Sequence, residues 1–190
     1  MSSLADRIRE SERRRFLLRA AIRSRVPALA PEYGKMIVGT VLGFGIVTLL
    51  VRRFTDVDPL WILGGVSLMY SLRAAYYKFR LAADAGFTVP KCGCAGAAND
   101  RTEVVLQSTY SKFLGVPNAV LGSLLYAALL VTVAFGWHAA ATALAVTGLL
   151  GSVYLGHAMV MRIRALCPTC VTIAGLNVLM VLQLLSAAAG

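Results

Sequence analysis

The chain has 190 residues, 58% of them hydrophobic, and its Lys and Arg residues outnumber Asp and Glu by 19 to 9. The charges are clustered and separated by uncharged stretches of about the length that crosses a bilayer. This pattern excludes a water-soluble globular domain and predicts a polytopic membrane protein. Eight arginines lie within the first 25 residues. Beside membrane spans such a patch indicates a topology signal and contact with anionic lipid, and we expect no nucleic-acid partner.

Residues 1–34 form an Arg-rich N-terminal segment. From Leu4 to Val26 its apolar residues follow a partial helical period, which predicts an amphipathic helix on the cytoplasmic surface. Pro27 and Pro31 are expected to end that helix. Because about 35 residues precede the first apolar run and no small-residue cleavage site follows it, we expect no cleavable signal peptide.

Five apolar segments follow and predict an all-α membrane protein. At about 1.5 Å per residue the last three can each cross a core of roughly 30 Å, whereas the first is marginal. Very short connectors make the last three antiparallel neighbours in a bundle. We expect an extra N-terminal transmembrane helix at 35–58 and a four-helix bundle at 59–190 that carries a polar loop at 78–116. The five segments are Met36 to Val51, Pro59 to Tyr77, Pro117 to Trp137, Ala139 to Met161, and Leu166 to Ala189.

The four cysteines form two close pairs, Cys92 and Cys94 in the polar loop and Cys167 and Cys170 at the start of the last segment. Structural disulfides are one interpretation, but a C-x-C ring is strained and easily reduced. Structural zinc is a second, but C-x-C lacks the usual knuckle spacing. Redox exchange between the pairs is the third, and the spacing favours it over metal binding and over a structural role.

The second pair, Cys167-Pro168-Thr169-Cys170, lies where an apolar helix is expected to begin. Free backbone N–H groups and the helix dipole stabilise a thiolate at such a position, and the nearby Arg162 and Arg164 add to that field. Cys170 is expected one turn deeper, on the same face and in apolar surroundings. This predicts that Cys167 meets the loop thiols and that Cys170 meets a lipid-soluble oxidant.

Four motifs carry a resemblance to a known family. They are VLQS at 105–108, LGVPNAVLG at 114–122, SVYL at 152–155 and CPTCVT at 167–172. In this order and spacing they resemble the vitamin K epoxide reductase family and its prokaryotic disulfide-forming homologues, over roughly residues 70–189.

The resemblance implies a four-helix bundle around a membrane quinone of the ubiquinone or menaquinone type. By position, Cys170 would react with the quinone ring, Cys167 would exchange with Cys92 and Cys94, and Asn118 would hydrogen-bond a quinone carbonyl. Asn118 could instead simply cap its helix. A thioredoxin-like protein would deliver electrons to the loop, and because no such domain follows the last helix we expect a separate partner. Ser108 and Tyr110 match a short loop helix packed over the site.

Two positions depart from the family pattern. The second loop cysteine usually stands just before the VLxS motif, where this chain has Arg101 and Thr102. The loop pair must therefore be Cys92 and Cys94. Ala174 stands where some members carry a tyrosine, four residues after the C-x-x-C motif. We therefore expect a binding site for a generic membrane quinone rather than one for vitamin K.

The charges also predict an orientation in the cell membrane. With five spans and a cytoplasmic N-terminus, 17 of the 19 Lys and Arg residues lie inside and only Arg52 and Arg53 lie outside, as the positive-inside rule prefers. Both cysteine pairs then face the cytoplasm, opposite to the usual family orientation. Cytoplasmic disulfides are common in hyperthermophiles. The outward-facing orientation is the alternative.

Two other functions compete with a disulfide-generating oxidoreductase. One is a membrane metal-handling protein in which all four cysteines are soft ligands for Cu(I) or Zn. The other is a non-catalytic subunit whose thiols only hold the loop onto the bundle. The oxidoreductase interpretation assigns no metal site.

Overall fold

The computed structural model describes residues 29–55, 58–84, 87–89, 98–113, 115–165 and 167–188. The predicted surface helix from Leu4 to Val26 lies outside these residues, and so do Cys92 and Cys94.

Within the described ranges the fold is helical, as the sequence predicts. A 3-10 turn at Thr109–Ser111 and a short antiparallel hairpin of β1 (Lys112–Phe113) and β2 (Val116–Pro117) lie between the third and fourth helices. A π-helical segment, Ala158–Ile163, continues the fifth. The α-helices are α1 (Leu29–Phe54), α2 (Pro59–Ala83), α3 (Ala98–Gln107), α4 (Asn118–Ala134), α5 (His138–His157) and α6 (Pro168–Ala188).

Helix α1 is longer than the apolar run from Met36 to Val51 that predicts it. Its 26 residues extend for about 39 Å at 1.5 Å per residue. Pro31, expected to end the preceding helix, instead lies in the first turn of α1. A proline is tolerated there because its missing N–H would have no partner within the helix.

Among the residues that the structure describes, three helices are long and apolar enough to cross a membrane by length and composition: Gly34–Phe54, His138–Ile163 and Pro168–Ala187. The fourth helix, Asn118–Ala134, is apolar but shorter. Helix α2 has 25 residues but is not among these candidate spans.

Local signals explain where α2 begins and how α4 turns into α5. The Asp58 carboxylate accepts a hydrogen bond from the Leu60 N–H at 2.9 Å, and Pro59 occupies the first helical position. Both are favoured at helix starts. Between α4 and α5, Gly136 has a φ of 67°, which a glycine adopts without steric cost.

The helices approach closely through small residues, and these contacts give the helix directions. Helices α1 and α6 run parallel, because Thr40 packs on Gly175 and Gly45 on Leu179. At Gly175 a methyl group would lie 2.8 Å from Thr40 Cγ2. Small residues at helix interfaces are typical of membrane bundles.

Helices α2 and α4 run antiparallel, because Gly64 packs on Leu130 and Ser71 on Gly122. The short turns on either side of α5 reverse the chain twice more. The starts of α1, α4 and α6 therefore share one end of the bundle with the last turns of α2 and α5. We call this end, which contains Cys167, the site end.

A buried polar network crosses the apolar core two turns below the start of α6. The Asn177 amide donates to the Gly148 carbonyl at 3.0 Å and to the Ser152 hydroxyl at 2.7 Å, and its oxygen accepts from the Tyr126 hydroxyl at 3.0 Å. Asn177 is only 1% exposed. Because a buried polar group without partners is costly, the network sets the rotation of α6 against α4 and α5.

We predict that Asn177→Leu lowers the free energy of unfolding in detergent by about 1 to 2 kcal/mol, because it removes three hydrogen bonds and leaves the Tyr126 hydroxyl without its acceptor. Denaturant titration followed by circular dichroism measures the change. Thr147→Val is the matched control, because that exposed hydroxyl bonds only the Ala143 carbonyl of its own helix. A loss of equal size in both variants would contradict the prediction.

Candidate functional site

Cys167 caps the N-terminus of α6 with its own sulfur. Its backbone carbonyl accepts the first helical hydrogen bond, from the Val171 N–H at 3.0 Å, and its Sγ accepts from the Cys170 N–H at 3.4 Å. Pro168 occupies the first helical position. This is the pattern of an N-cap residue whose side chain satisfies the third N–H of the helix. The sequence-based expectation that Cys167 opens a helix is confirmed.

The two thiols differ in burial. Cys167 is 1% exposed, whereas Cys170 is half-buried one turn deeper, and both are free cysteines. Val105 of α3, Met159 of the π-helical segment and Ala165 enclose Cys167 in one apolar cluster. Val104, Ile163 and Cys170 pack against that cluster. Cys167 is thus enclosed by protein, whereas Cys170 lies at its edge.

Several donors converge on the Cys167 sulfur. The hydrogen bond from the Cys170 side chain lowers the pKa of the Cys167 thiol below its ordinary value, and burial opposes this effect. The Cys170 backbone N–H, the Thr102 hydroxyl and the Thr169 backbone act in the same direction as the Cys170 side chain. Cys167 lies one residue before the candidate span Pro168–Ala187, where the free N–H groups of the helix start also favour a thiolate.

The chain segment just before Cys167 has an unusual backbone conformation. Arg164 adopts a left-handed conformation with a φ of 56°, which is uncommon for a residue other than glycine. It ends the π-helical segment, and the Ala165 N–H then donates to the Met159 carbonyl at 3.2 Å. Arg162 and Arg164 are exposed. No glycine or asparagine at these positions signals the left-handed residue in the sequence.

Helix α3 is held over Cys167 by contacts at its C-terminus. The Lys78 ammonium of α2 donates to the Leu106 carbonyl and to the Ser111 hydroxyl. The Ser108 hydroxyl donates to the Val105 carbonyl at 2.7 Å. A basic side chain on the last carbonyls of a helix is a favourable cap. The short helix that covers the site is therefore α3, and Ser108 lies just beyond its end.

Asn118 is the first residue of α4 and is half-buried. Its amide nitrogen donates to the Tyr110 carbonyl at 2.8 Å. This bond joins the 3-10 turn that follows α3 to the start of α4. Pro117 is the residue that precedes the helix, and no side chain caps it. The structure thus gives Asn118 a connecting role instead of the N-cap role considered from sequence.

Two polar features of the site region were not expected from sequence. In the sequence Thr102 is notable only as a departure from the family pattern, yet it is buried one turn before Val105, which packs in the same cluster as Cys167. The Asn177 network lies within apolar segments where an isolated polar residue carries no periodic signal. Among the residues that the structure describes, no group of three or more His, Cys, Asp or Glu side chains is placed to hold a metal ion.

A protein-family model described as the vitamin K epoxide reductase family matches residues 59–185. The match covers more than half of the chain and includes α2 to α5, most of α6 and the C-x-x-C pair, whereas α1 lies outside it. A search of curated proteins found no match to this chain.

We predict that Thr102→Cys, in a Cys92→Ser, Cys94→Ser, Cys170→Ser background, forms a disulfide with Cys167. Thr102 is buried one turn before Val105, which packs in the same cluster as Cys167, so we expect the two β-carbons to come within the range that a disulfide requires. Oxidation in detergent followed by mass spectrometry of tryptic peptides measures the yield. Thr109→Cys in the same background is the control, because Thr109 is exposed in the next turn. Equal yields from the two variants would show that Thr102 does not lie against Cys167.

Proposed function

The chain belongs to the vitamin K epoxide reductase family, and we propose that it is a membrane enzyme that generates disulfides and delivers the electrons to a quinone. Membership implies a membrane-bound redox enzyme. The single observation that carries the proposal is the Cys167 and Cys170 pair itself. One thiol caps a membrane helix inside a protein cluster, and the other lies half-buried one turn deeper.

The surroundings of Cys170 fit a lipid-soluble ring. Val104 and Ile163 pack against the same apolar cluster as Cys170 does, and the buried Ala174 lies one turn further along α6. We assign Cys170 and Asn118 to hold a quinone of the ubiquinone or menaquinone type. The Asn118 nitrogen carries a second hydrogen besides the one given to Tyr110, and we assign it to a quinone carbonyl. When bound, the quinone supplies an acceptor for the two electrons and two protons that leave the cysteine pair.

The residues of the chain then act in series. A thiolate of the Cys92 and Cys94 pair attacks Cys167 in the Cys167–Cys170 disulfide, and Cys170 leaves as a thiolate. The second loop thiolate resolves the mixed disulfide, so that the loop carries the disulfide and the membrane pair is reduced by two electrons. A reduced thioredoxin-like partner then takes the disulfide from the loop. The N-cap position stabilises the Cys167 thiolate that this exchange releases.

We further propose that the site end faces the cytoplasm. The described cations at that end include Lys35, Lys78, Lys112 and Arg162, and the Arg-rich sequence before α1 leads into the same end. Arg52 and Arg53 lie in the last turn of α1, at the opposite end. The positive-inside rule favours this orientation, which is the inverse of the usual family arrangement.

We predict that the purified protein reduces a short-chain quinone when it is given a reduced thioredoxin-like protein, and that Cys170→Ala lowers the rate at least a hundredfold. The reason is that no disulfide can then form at the membrane pair. Quinone absorbance measures the rate. Ser186→Ala, an exposed change on the same helix, is the control. Quinone reduction that does not depend on the cysteines would contradict the proposal.

The same preparation separates the competing functions. A soft metal retained in stoichiometric amount after dialysis would favour the metal-handling interpretation. A protein that contains a stable disulfide between the loop pair and the Cys167 and Cys170 pair, and that has no quinone activity, would favour a structural role for the thiols.

We predict that a cysteine introduced at His138 in intact cells reacts with a membrane-impermeant thiol reagent, because it lies at the end of the bundle opposite Cys167. The background is the chain with its native cysteines replaced by serine. A cysteine in place of Lys112, at the site end, is the paired control and should be protected until the membrane is permeabilised. Protection at position 138 combined with labelling at position 112 would establish the outward-facing orientation.

A further inference from the structure

Cys167 is shielded from the thiols with which it is proposed to exchange. It is buried, and the buried Val105 of α3 packs in the same cluster. Thiol–disulfide exchange requires one sulfur to reach another, so its rate depends on access. The other buried members of the cluster, Met159 and Ala165, belong to the chain segment that joins α5 to α6. Because α3 comes from elsewhere in the chain, its position controls access to Cys167.

A basic side chain from α2 holds the C-terminal end of α3. The Lys78 ammonium donates to the Leu106 carbonyl, one residue before the helix ends, and to the Ser111 hydroxyl. The Ser111 hydroxyl donates in turn to the Leu106 carbonyl at 2.8 Å. The last carbonyls of a helix have no helical partner. A charged donor at that point therefore joins the end of α3 and the turn that follows it to α2.

The same turn contacts Asn118. The 3-10 turn Thr109–Ser111 contains Tyr110, whose carbonyl accepts a hydrogen bond from the Asn118 amide at 2.8 Å. Asn118 is the residue that we assign to a quinone carbonyl. Its amide group is planar, so the bond to Tyr110 also determines the direction of the second N–H. The turn that Lys78 holds thus orients the donor that is proposed to contact the quinone.

We propose that Lys78 is a positioning residue for the redox site: its ammonium holds α3 over Cys167 and, through the turn that contains Tyr110, holds the Asn118 amide toward the quinone. The shielding of Cys167 from thiols and from alkylating reagents then depends on Lys78. The inference rests on the proposed function of the cysteine pair.

The first test measures access to Cys167. In the full chain with Cys92→Ser, Cys94→Ser and Cys170→Ser, Cys167 is the sole thiol, and mass spectrometry follows its alkylation by N-ethylmaleimide in detergent. Lys78→Met removes the donor from a side chain of similar length and should raise the alkylation rate at least about tenfold. Lys78→Arg keeps a charged donor for the helix carbonyl and should leave the rate within about threefold of that of the unmodified lysine.

Two controls separate this effect from a general loss of stability. Lys112→Met removes a charge at an exposed position beside Ser111 and should leave the alkylation rate unchanged. A second reporter is Ala145→Cys, in the chain with all four native cysteines replaced by serine, because Ala145 is buried in the main core. It should stay protected when Lys78→Met is added. If this reporter becomes reactive to the same degree as Cys167, Lys78 stabilises the fold as a whole and the positioning role is wrong.

The second test measures the effect on Asn118. In the chain with its native cysteines, Lys78→Met should raise the KM for a short-chain quinone about threefold, and Asn118→Ala should raise it at least as much. Because Lys78 acts on the quinone through Asn118, the double variant should have the KM of Asn118→Ala alone. Lys78→Arg should restore the KM. Effects of the two substitutions that multiply in the double variant would contradict the route through Asn118.

The role of Lys78 and the proposed function can fail independently. If Lys78→Met leaves the alkylation of Cys167 unchanged while the unmodified chain reduces quinone, the role of Lys78 is wrong and the proposed function stands. If the alkylation rate rises as expected while the unmodified chain never reduces quinone, the hold of Lys78 on α3 stands and the proposed function is wrong.

Discussion

The hydrogen bond from the Cys170 N–H to the Cys167 sulfur is the interaction on which the site depends. It makes a thiol the N-cap of a membrane helix, so the start of the helix and the C-x-x-C pair are one structural feature. The sulfur lies where backbone N–H groups have no helical partner, which favours a thiolate. One turn separates Cys167 from Cys170, which places one thiol under α3 and the other at the edge of the cluster.

The rest of the bundle determines where that helix start lies. Asn177 fixes α6 against α4 and α5 through three hydrogen bonds, and the contact of Gly175 with Thr40 adds α1 along the same helix. Helix α1 lies outside the residues that match the family model, whereas most of α6 lies within them. Helix α1 therefore packs on a helix of the family bundle as an additional element. The parallel packing of α1 and α6 also brings the start of α1, with Lys35, to the end that contains Cys167.

Much of this arrangement could be predicted from sequence, for physical reasons that differ between elements. The start of α6 was predictable because a proline at the first helical position precedes a long apolar run, and the helical class followed from the lengths of the apolar segments. The start of α1 was not predictable, because a proline such as Pro31 is compatible both with the end of one helix and with the first turn of the next. The packing of Val105 on α3 with Cys167 joins residues far apart in sequence. The left-handed Arg164 and the partners of Asn177 depend on tertiary packing that no local pattern encodes.

The most direct test of the central claim is a single turnover without any thiol partner. The chain with Cys92→Ser and Cys94→Ser is fully reduced, freed of reductant and mixed anaerobically with one equivalent of a short-chain quinone, and its disulfides are then counted by mass spectrometry. The account predicts one Cys167–Cys170 disulfide for each quinone reduced. Quinone consumption without that disulfide, or a pair that stays reduced in the presence of quinone, would contradict it.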